Sequence, residues 1–287
     1  MSKFLDAFCD YAKKINVNLI RVSEMKDGYD IETKNVLNVS PCQDVYSVAK
    51  VFTVTAIGLL EDKGLLSLDE KITDILKDEI PEGYDPLWDT STVHSILLHR
   101  VGLPHGFLDI DCVDSNTFGI DYLAHMMKQP LKEHHGNEFV YTDGAYYMLS
   151  RVVEKRAGMS TDDFLWKELM QPLSFKEAAW SHCPLGHAMG ATGLYVRSDD
   201  MIKLGALYMY DGMWKDRRIF SEEWSKKVKT RGYELNHLGY GKAYGKGGAA
   251  GQMLMVVPEE NRVVAWQGYE TRTNSPDLTK YAAEYNG

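Results

Sequence analysis

The chain has 287 residues, with 32 Lys and Arg against 41 Asp and Glu, a formal charge of −9, and 44% hydrophobic residues. This is a globular composition with room for one large or two modest domains, and its acidic balance argues against a binder of nucleic acid or of an anionic membrane, both of which need basic patches. The four cysteines, Cys9, Cys42, Cys112 and Cys183, share no CxxC spacing, which excludes a zinc ribbon, a thioredoxin motif and a disulfide scaffold.

Residues 1–18 predict an amphipathic helix with Phe4, Leu5, Phe8 and Tyr11 on one side. The segment lacks the apolar core of a signal peptide, and no stretch reaches about 18 uninterrupted apolar residues. A soluble, cytoplasmic protein is therefore expected. Val17 to Val22 reads as a strand, Lys26-Asp27-Gly28 as a turn, and residues 29–39 as the returning half of a hairpin. From Val48 to Leu60 the chain is apolar nearly all round, which predicts a buried central helix ending at Gly64. Residues 66–80 begin another short helical region.

Six prolines, at 81, 86, 104, 130, 172 and 184, punctuate the next hundred residues. Between them, helical periodicity covers 91–102, 120–129, 143–158 and 161–172. Met126-Met127 and Tyr146-Tyr147 read as core or pocket wall. After Gly193, helices are expected over 198–212 and 221–230, with early carboxylates in each. Residues 252–270 read as two strands joined by a Pro258–Asn261 turn, and 273–286 as a closing helix. Strands at both ends with helices between suggest one sheet assembled from both termini, with a helical region inserted.

G-x-S-x-G, H-E-x-x-H and Walker A patterns are absent. Gly245 to Ala250 satisfies a loose G-x-G-x-x-A, but a strand-like run follows it where a dinucleotide site needs a helix. Ser-x-x-Lys occurs twice. Ser23 to Lys26 ends a strand, where the two side chains need not meet, so it is read as structural. Ser47 to Lys50 opens the buried helix, where residues i and i+3 share a face and the hydroxyl can meet the amine. A serine there also lies beside open backbone N–H groups and the positive end of the helix dipole, which favour an attacking oxygen. The competing reading is a plain cap at Ser47 and a Lys50 that snorkels to the surface. Lys50 is flanked by Val48, Ala49, Val51 and Phe52, and a lysine in such a run is costly unless used or paired.

Residues 45–76, VYSVAKVFTVTAIGLLEDKGLLSLDEKITDIL, resemble the active-site segment of the serine β-lactamase and penicillin-binding-protein superfamily, closest to its class C β-lactamase and family VIII carboxylesterase branch. Four further segments are similar to that family in its own order. LLHRVGLPHG at 97–106 resembles its Leu-Leu-x-His-x-x-Gly-Leu-Pro segment. In FVYTDGAYYMLSRVVEKRAG at 139–158, Tyr141 matches the tyrosine of Tyr-x-Asn and Asp143 stands where Asn is usual. Residues 190–224 resemble the stretch that returns to the sheet, and Lys246-Gly247-Gly248 falls at the Lys-Thr-Gly position. Each motif is loose alone, whereas five in order over about residues 40–270 are specific.

The resemblance implies an α+β, β-lactamase-like fold: an antiparallel sheet flanked by helices with an inserted, mostly helical subdomain. Residues 1–75 and 190–287 would form the sheet region and 76–189 the helical region of one structural unit. It implies Ser47 as a nucleophile forming an acyl-enzyme, and Lys50 as acceptor of its proton or holder of a neighbouring base. For that, the lysine must be shifted toward its neutral form, by burial or by another cation such as Lys246. Tyr141 would relay a proton to the leaving group and later help activate water. The backbone N–H groups of Ser47 and Ala249 would form the oxyanion hole, and Asp143, Lys246, Gly247 and Gly248 would bind substrate.

Two departures bear on the substrate. Asp143 puts a carboxylate where the family has an amide, and Gly247 removes a hydroxyl that helps grip the acidic group of β-lactams. The expected function is a serine hydrolase of small ester or amide substrates. A β-lactamase or D-Ala-peptide hydrolase, and a catalytically weak binding protein of the same fold, are the alternatives. Partners are expected to be ester, amide or β-lactam-like small molecules, with no nucleic acid, membrane, cofactor or metal. His94, His99, His105, His134, His135, His182, His187 and His237 lack paired ligand spacing and read as surface or helix-end residues. Asp109 and Asp111 lack the glycine and glutamate of a calcium loop.

Overall fold

The computed structural model describes residues 2–132, 136–269 and 275–286. His134 and His135 lie outside the described residues. The chain divides into two compact units, one made of Met1–Val51, Pro172–Ala179 and Leu194–Gly287, the other of Phe52–Gln171 and Trp180–Gly193. In chain order the elements are α1 (Lys3–Lys14), β1 (Leu19–Lys26), β2 (Ile31–Asn35), β3 (Gln43–Asp44) and α2 (Ala49–Asp62). Then come α3 (Ile72–Ile75), α4 (Val93–Leu97), α5 (Tyr122–Met127), α6 (Asp143–Ala157) and α7 (Thr161–Leu165). The chain returns through β4 (Ala178–Trp180), β5 (Leu194–Val196), α8 (Ser198–Met209), β6 (Met213–Trp214) and β7 (Arg217–Arg218). It closes with α9 (Glu222–Arg231), β8 (Asn236–His237), β9 (Tyr244–Gly247), β10 (Met253–Val257), β11 (Arg262–Gly268) and α10 (Ser275–Glu284).

The first unit is built on a six-stranded sheet in the order β2-β1-β11-β10-β9-β8, antiparallel throughout and drawn from both chain ends. β10 and β11 are buried at every position, as a strand covered on both faces must be. One cover is made by α1 and α10, whose Phe4, Leu5, Phe8, Leu278 and Ala282 share a core with Val22, Met255 and Trp266. α8 lies on β1, β10 and β11 as the other cover. Its Gly205 lets the helix approach closely, since a Cβ there would lie 2.6 Å from Val263 Cγ1 and 2.9 Å from Leu254 Cδ1. The Ser23–Lys26 match is structural, as read: Ser23 Oγ hydrogen-bonds Thr33 and Ser198 at 2.8 and 2.7 Å, and Lys26 pairs with Glu260.

The second unit is helical. α6 is buried from Asp143 to Val153 and stops at Gly158, whose φ of +68° takes the left-handed conformation of a glycine cap. Gly190 crosses α6 so tightly that a Cβ would meet the Tyr146 carbonyl oxygen at 2.3 Å, and the Gly190 carbonyl accepts from Thr53 Oγ1 at 2.6 Å.

These boundaries differ from 75/76 and 189/190. The body of α2 from Phe52 onward groups with the second unit, where Thr53 is tied to Gly190. Residues 172–179 group with the first unit, because the Lys176 N–H donates to Asp200 and Lys203 donates to the Ser174 carbonyl. The short strands β3 to β9 are also new relative to the sequence reading; two to four residues are too few to show a period of two. Among the described residues no helix is long and apolar enough to cross a membrane.

Candidate active site

In the first unit the chain tightens just before α2. Val45 N–H donates to the Leu194 carbonyl at 2.9 Å, and Tyr46 N–H donates to Asp44 Oδ1 at 2.8 Å. Tyr46 is thereby held at φ +48°, a left-handed conformation that costs a non-glycine residue about 1–3 kcal/mol and is kept only where surroundings enforce it. Tyr46–Val48 form a single 3-10 turn, and α2 begins at Ala49. Ser47 is thus in the turn that feeds the helix, one step earlier than a first-turn position. It is half-buried, while Lys50 is fully buried. Helical spacing brings Lys50 Nζ to 3.3 Å from Ser47 Oγ, with the amine placed to donate. Lys50 therefore does not snorkel, because α2 is apolar all round and buried at this point.

β9 packs against this turn. A Cβ at Gly248 would lie 2.7 Å from the Val45 carbonyl oxygen, 2.7 Å from Gln252 Oε1 and 3.1 Å from Tyr46 Cβ, so only glycine fits where the strand end meets the turn. A Cβ at Gly247 would meet only Met253 Cε and the Gln252 carbonyl oxygen, at the ordinary distances of 3.5 and 3.6 Å. The small residue is a steric necessity at 248 and not at 247. Gly248→Ala should push the strand end off the Ser47 turn, lowering stability by about 1–3 kcal/mol, as overpacking does. Gly247→Ala should leave the melting temperature within about a degree or two of wild type, since surface-like changes are small. Thermal melts of the two variants side by side check this.

Lys246 lies in β9 and forms an ion pair with Glu234, a nearly fully buried residue held at φ +63°. Sequence reasoning missed Glu234, which sits in an irregular loop with no motif around it. Lys246 therefore brings its charge to the β9 end together with a carboxylate.

In the second unit Tyr141 precedes α6 and is 39% exposed. Its ring packs on His99 with centroids 4.7 Å apart, and Tyr146 packs on His99 at 5.0 Å. His99 is a helix-end residue, as expected, but not a surface one: it follows α4 at φ +55°, is 3% exposed, and ties the 139–142 segment down. Its carbonyl accepts from Val140 N–H at 3.0 Å and its Nδ1 accepts from Thr142 N–H at 3.2 Å, which leaves the ring proton of a neutral imidazole on Nε2. The Thr142 hydroxyl accepts from Phe107 N–H at 2.9 Å, and Gly144 N–H donates to the Phe107 carbonyl. The only sequence signal for His99 was its place in LLHRVG.

Asp143 is the buried first residue of α6. Asp109, Asp111 and Asp143 each bring a carboxylate oxygen within 4.8 Å of the others, and Asp111 accepts from Thr192 Oγ1 at 2.7 Å. The structure thus joins two aspartates that the sequence left unassigned to the one at the family's Asn position. Three oxygens at this spacing are a donor set able to hold a cation. Ser47, Lys50, Lys246, Gly247, Gly248 and Ala249 belong to the first unit, and Tyr141 and Asp143 to the second.

The sequence model of the family described as Beta-lactamase matches residues 30–283. Penicillin-binding protein 4* of Bacillus subtilis (strain 168) is 24% identical over 281 residues, covering 85% of this chain and 60% of that protein. N-acetylmuramyl-L-alanine amidase of the same organism is 29% identical over 149 residues, 48% of this chain and 33% of that protein. The chain thus spans 60% and 33% of the lengths of these two relatives, less than two thirds of each. Among solved structures, the octameric penicillin-binding protein homologue from Pyrococcus abyssi superposes with a TM-score of 0.75 at 22% identity, covering 97% of this chain and 75% of that one. EstCE1, a hydrolase with promiscuous acyltransferase activity, gives a TM-score of 0.75 at 12% identity over 99% and 98%. At those identities the likeness is one of fold.

Proposed function

The chain belongs to the beta-lactamase family, and from that membership we propose that it is a serine hydrolase that transfers the acyl group of a small ester or amide to Ser47 and then to water. The observation that carries this reading is the pairing of Ser47 Oγ with the fully buried Lys50 Nζ at 3.3 Å. In the proposed reaction Ser47 Oγ attacks the substrate carbonyl and its proton passes to Lys50, which must hold a free electron pair at that moment. The oxyanion is held by the N–H groups of Ser47 and Ala249. Tyr141 relays that proton to the leaving group, and water then releases the acid and returns a proton to Ser47 Oγ. The packing of Tyr141 on His99 supports this role by limiting how far the phenol can wander.

Two observations favour neutral esters and amides over β-lactams. Gly247 offers no hydroxyl, and the Lys246 charge is shared with Glu234. A substrate carboxylate would find less to bind there than in a site with a threonine and an uncompensated lysine. The test compares kcat/KM for 4-nitrophenyl butyrate and a chromogenic cephalosporin. Ester turnover at least about a hundredfold more efficient is expected, equivalent to one or two charge-assisted hydrogen bonds. The reverse preference would make the protein a β-lactamase; its Bacillus subtilis relative is named for binding penicillin. Because a Cβ fits at position 247, Gly247→Thr is expected to raise the cephalosporin-to-ester ratio by about tenfold, the effect of one added hydrogen bond to a charged group.

A further inference from the structure

Arg21, on β1 opposite Asn35 of β2, is 7% exposed. Its Nη1 is buried without a hydrogen-bond partner, and no ion pair to its guanidinium occurs among the described residues. An arginine stays charged in a protein, and a buried charge without a partner is strongly destabilising. Burial, followed by repulsion from Arg197, works against the charged form of this side chain, with Asp199 and Glu177 only partly offsetting it.

Arg21 lines a cleft of about 340 Å³ within the first unit, at the low end of small-molecule sites. Lys176, Arg197 and Lys203 line it too, an unusual concentration of cations in a chain of charge −9. The neighbouring carboxylates are already engaged. Asp199 accepts from Lys176 at 2.9 Å and from Arg197 Nε at 3.0 Å, Asp200 from Lys203 at 2.6 Å, and Glu177 from Arg197 at 3.4 Å. One positive charge is left over, and it is that of Arg21. Arg197 and Asp199 also place the N-terminal turn of α8 at the cleft, whose dipole favours an anion.

We propose that this cleft binds a small organic monocarboxylate, with its carboxylate on the Arg21 guanidinium and its carbon skeleton along Ile31. The guanidinium fork matches the two oxygens of a carboxylate, and a single negative charge balances the single excess cation, which a phosphate dianion would exceed. Thr33 and Asn35, on the same side of β2 as Ile31, offer hydrogen bonds to polar substituents. The proposal does not depend on the chemistry at Ser47.

Isothermal titration calorimetry of the full chain with butyrate, benzoate and inorganic phosphate tests it. At least one carboxylate is expected to bind wild type with one-to-one stoichiometry and more tightly than phosphate. Arg21→Met should weaken that binding by at least about tenfold, as loss of a bidentate pair does. Without ligand, Arg21→Met should melt no lower than wild type, because the unpartnered charge is gone. Absence of binding by either carboxylate, equal binding by Arg21→Met, or tighter binding of phosphate overturns the proposal. Should Arg21→Met not fold, Arg21→Lys carries the test: it keeps the charge but loses the fork, and unchanged carboxylate affinity in it would be equally fatal.

Discussion

Ser47→Ala is expected to lower ester turnover by at least about 10³-fold and to abolish covalent labelling by a fluorophosphonate, because it deletes the atom proposed to carry the acyl group. The substitution removes one oxygen from a half-buried turn. The turn itself is held by the Val45 and Tyr46 N–H groups, neither of which uses the Ser47 side chain. The fold should therefore survive, and the loss is read as chemistry. Intact mass after incubation settles the matter: one phosphonyl group on wild type and none on the variant. The same experiment with benzylpenicillin reports whether a β-lactam reaches the serine at all. Labelling that persists in Ser47→Ala would place the nucleophile elsewhere and remove the proposed mechanism.

Lys50→Met is expected to cost a similar factor, about 10³-fold in kcat/KM, from loss of the proposed proton acceptor. Its value lies in the contrast between activity and stability. A solvated lysine replaced by methionine would change neither much. Lys50 is instead fully buried beside Ser47, in the apolar body of α2. Methionine has a similar length and keeps the packing of the α2 body, so the variant should remain folded and melt cooperatively. Activity should collapse in a protein that remains folded. Fluorophosphonate labelling should slow in parallel, since the hydroxyl loses the group proposed to take its proton. Near-normal turnover in Lys50→Met would mean that the lysine is only a packing residue.

The sheet and its helical cover were legible in the sequence wherever a pattern runs long enough to repeat. α1 shows its apolar face in Phe4, Leu5 and Phe8, and β10 and β11 show as β-branched runs broken by Pro258 to Asn261. β8 and β9 did not show, because they are only two and four residues long and half of β9 is glycine. The unit boundaries did not show either, because they follow side chains that meet across long stretches of chain, such as Thr53 with Gly190 and Lys203 with Ser174.

Ser47 and Lys50 could be paired from sequence because three residues along a helix return to the same face whatever the rest of the chain does. The five ordered motifs marked the family for the same reason: they are local strings. Tertiary structure decided what those strings mean chemically. It buried Lys50 completely, set Glu234 against Lys246, packed His99 behind Tyr141, and gathered Asp109 and Asp111 around Asp143. The last three join residues far apart in the chain, whose spacing obeys no helical or strand period. Their meeting depends on loop closure and on which apolar faces find each other, and these are properties of the packed chain as a whole.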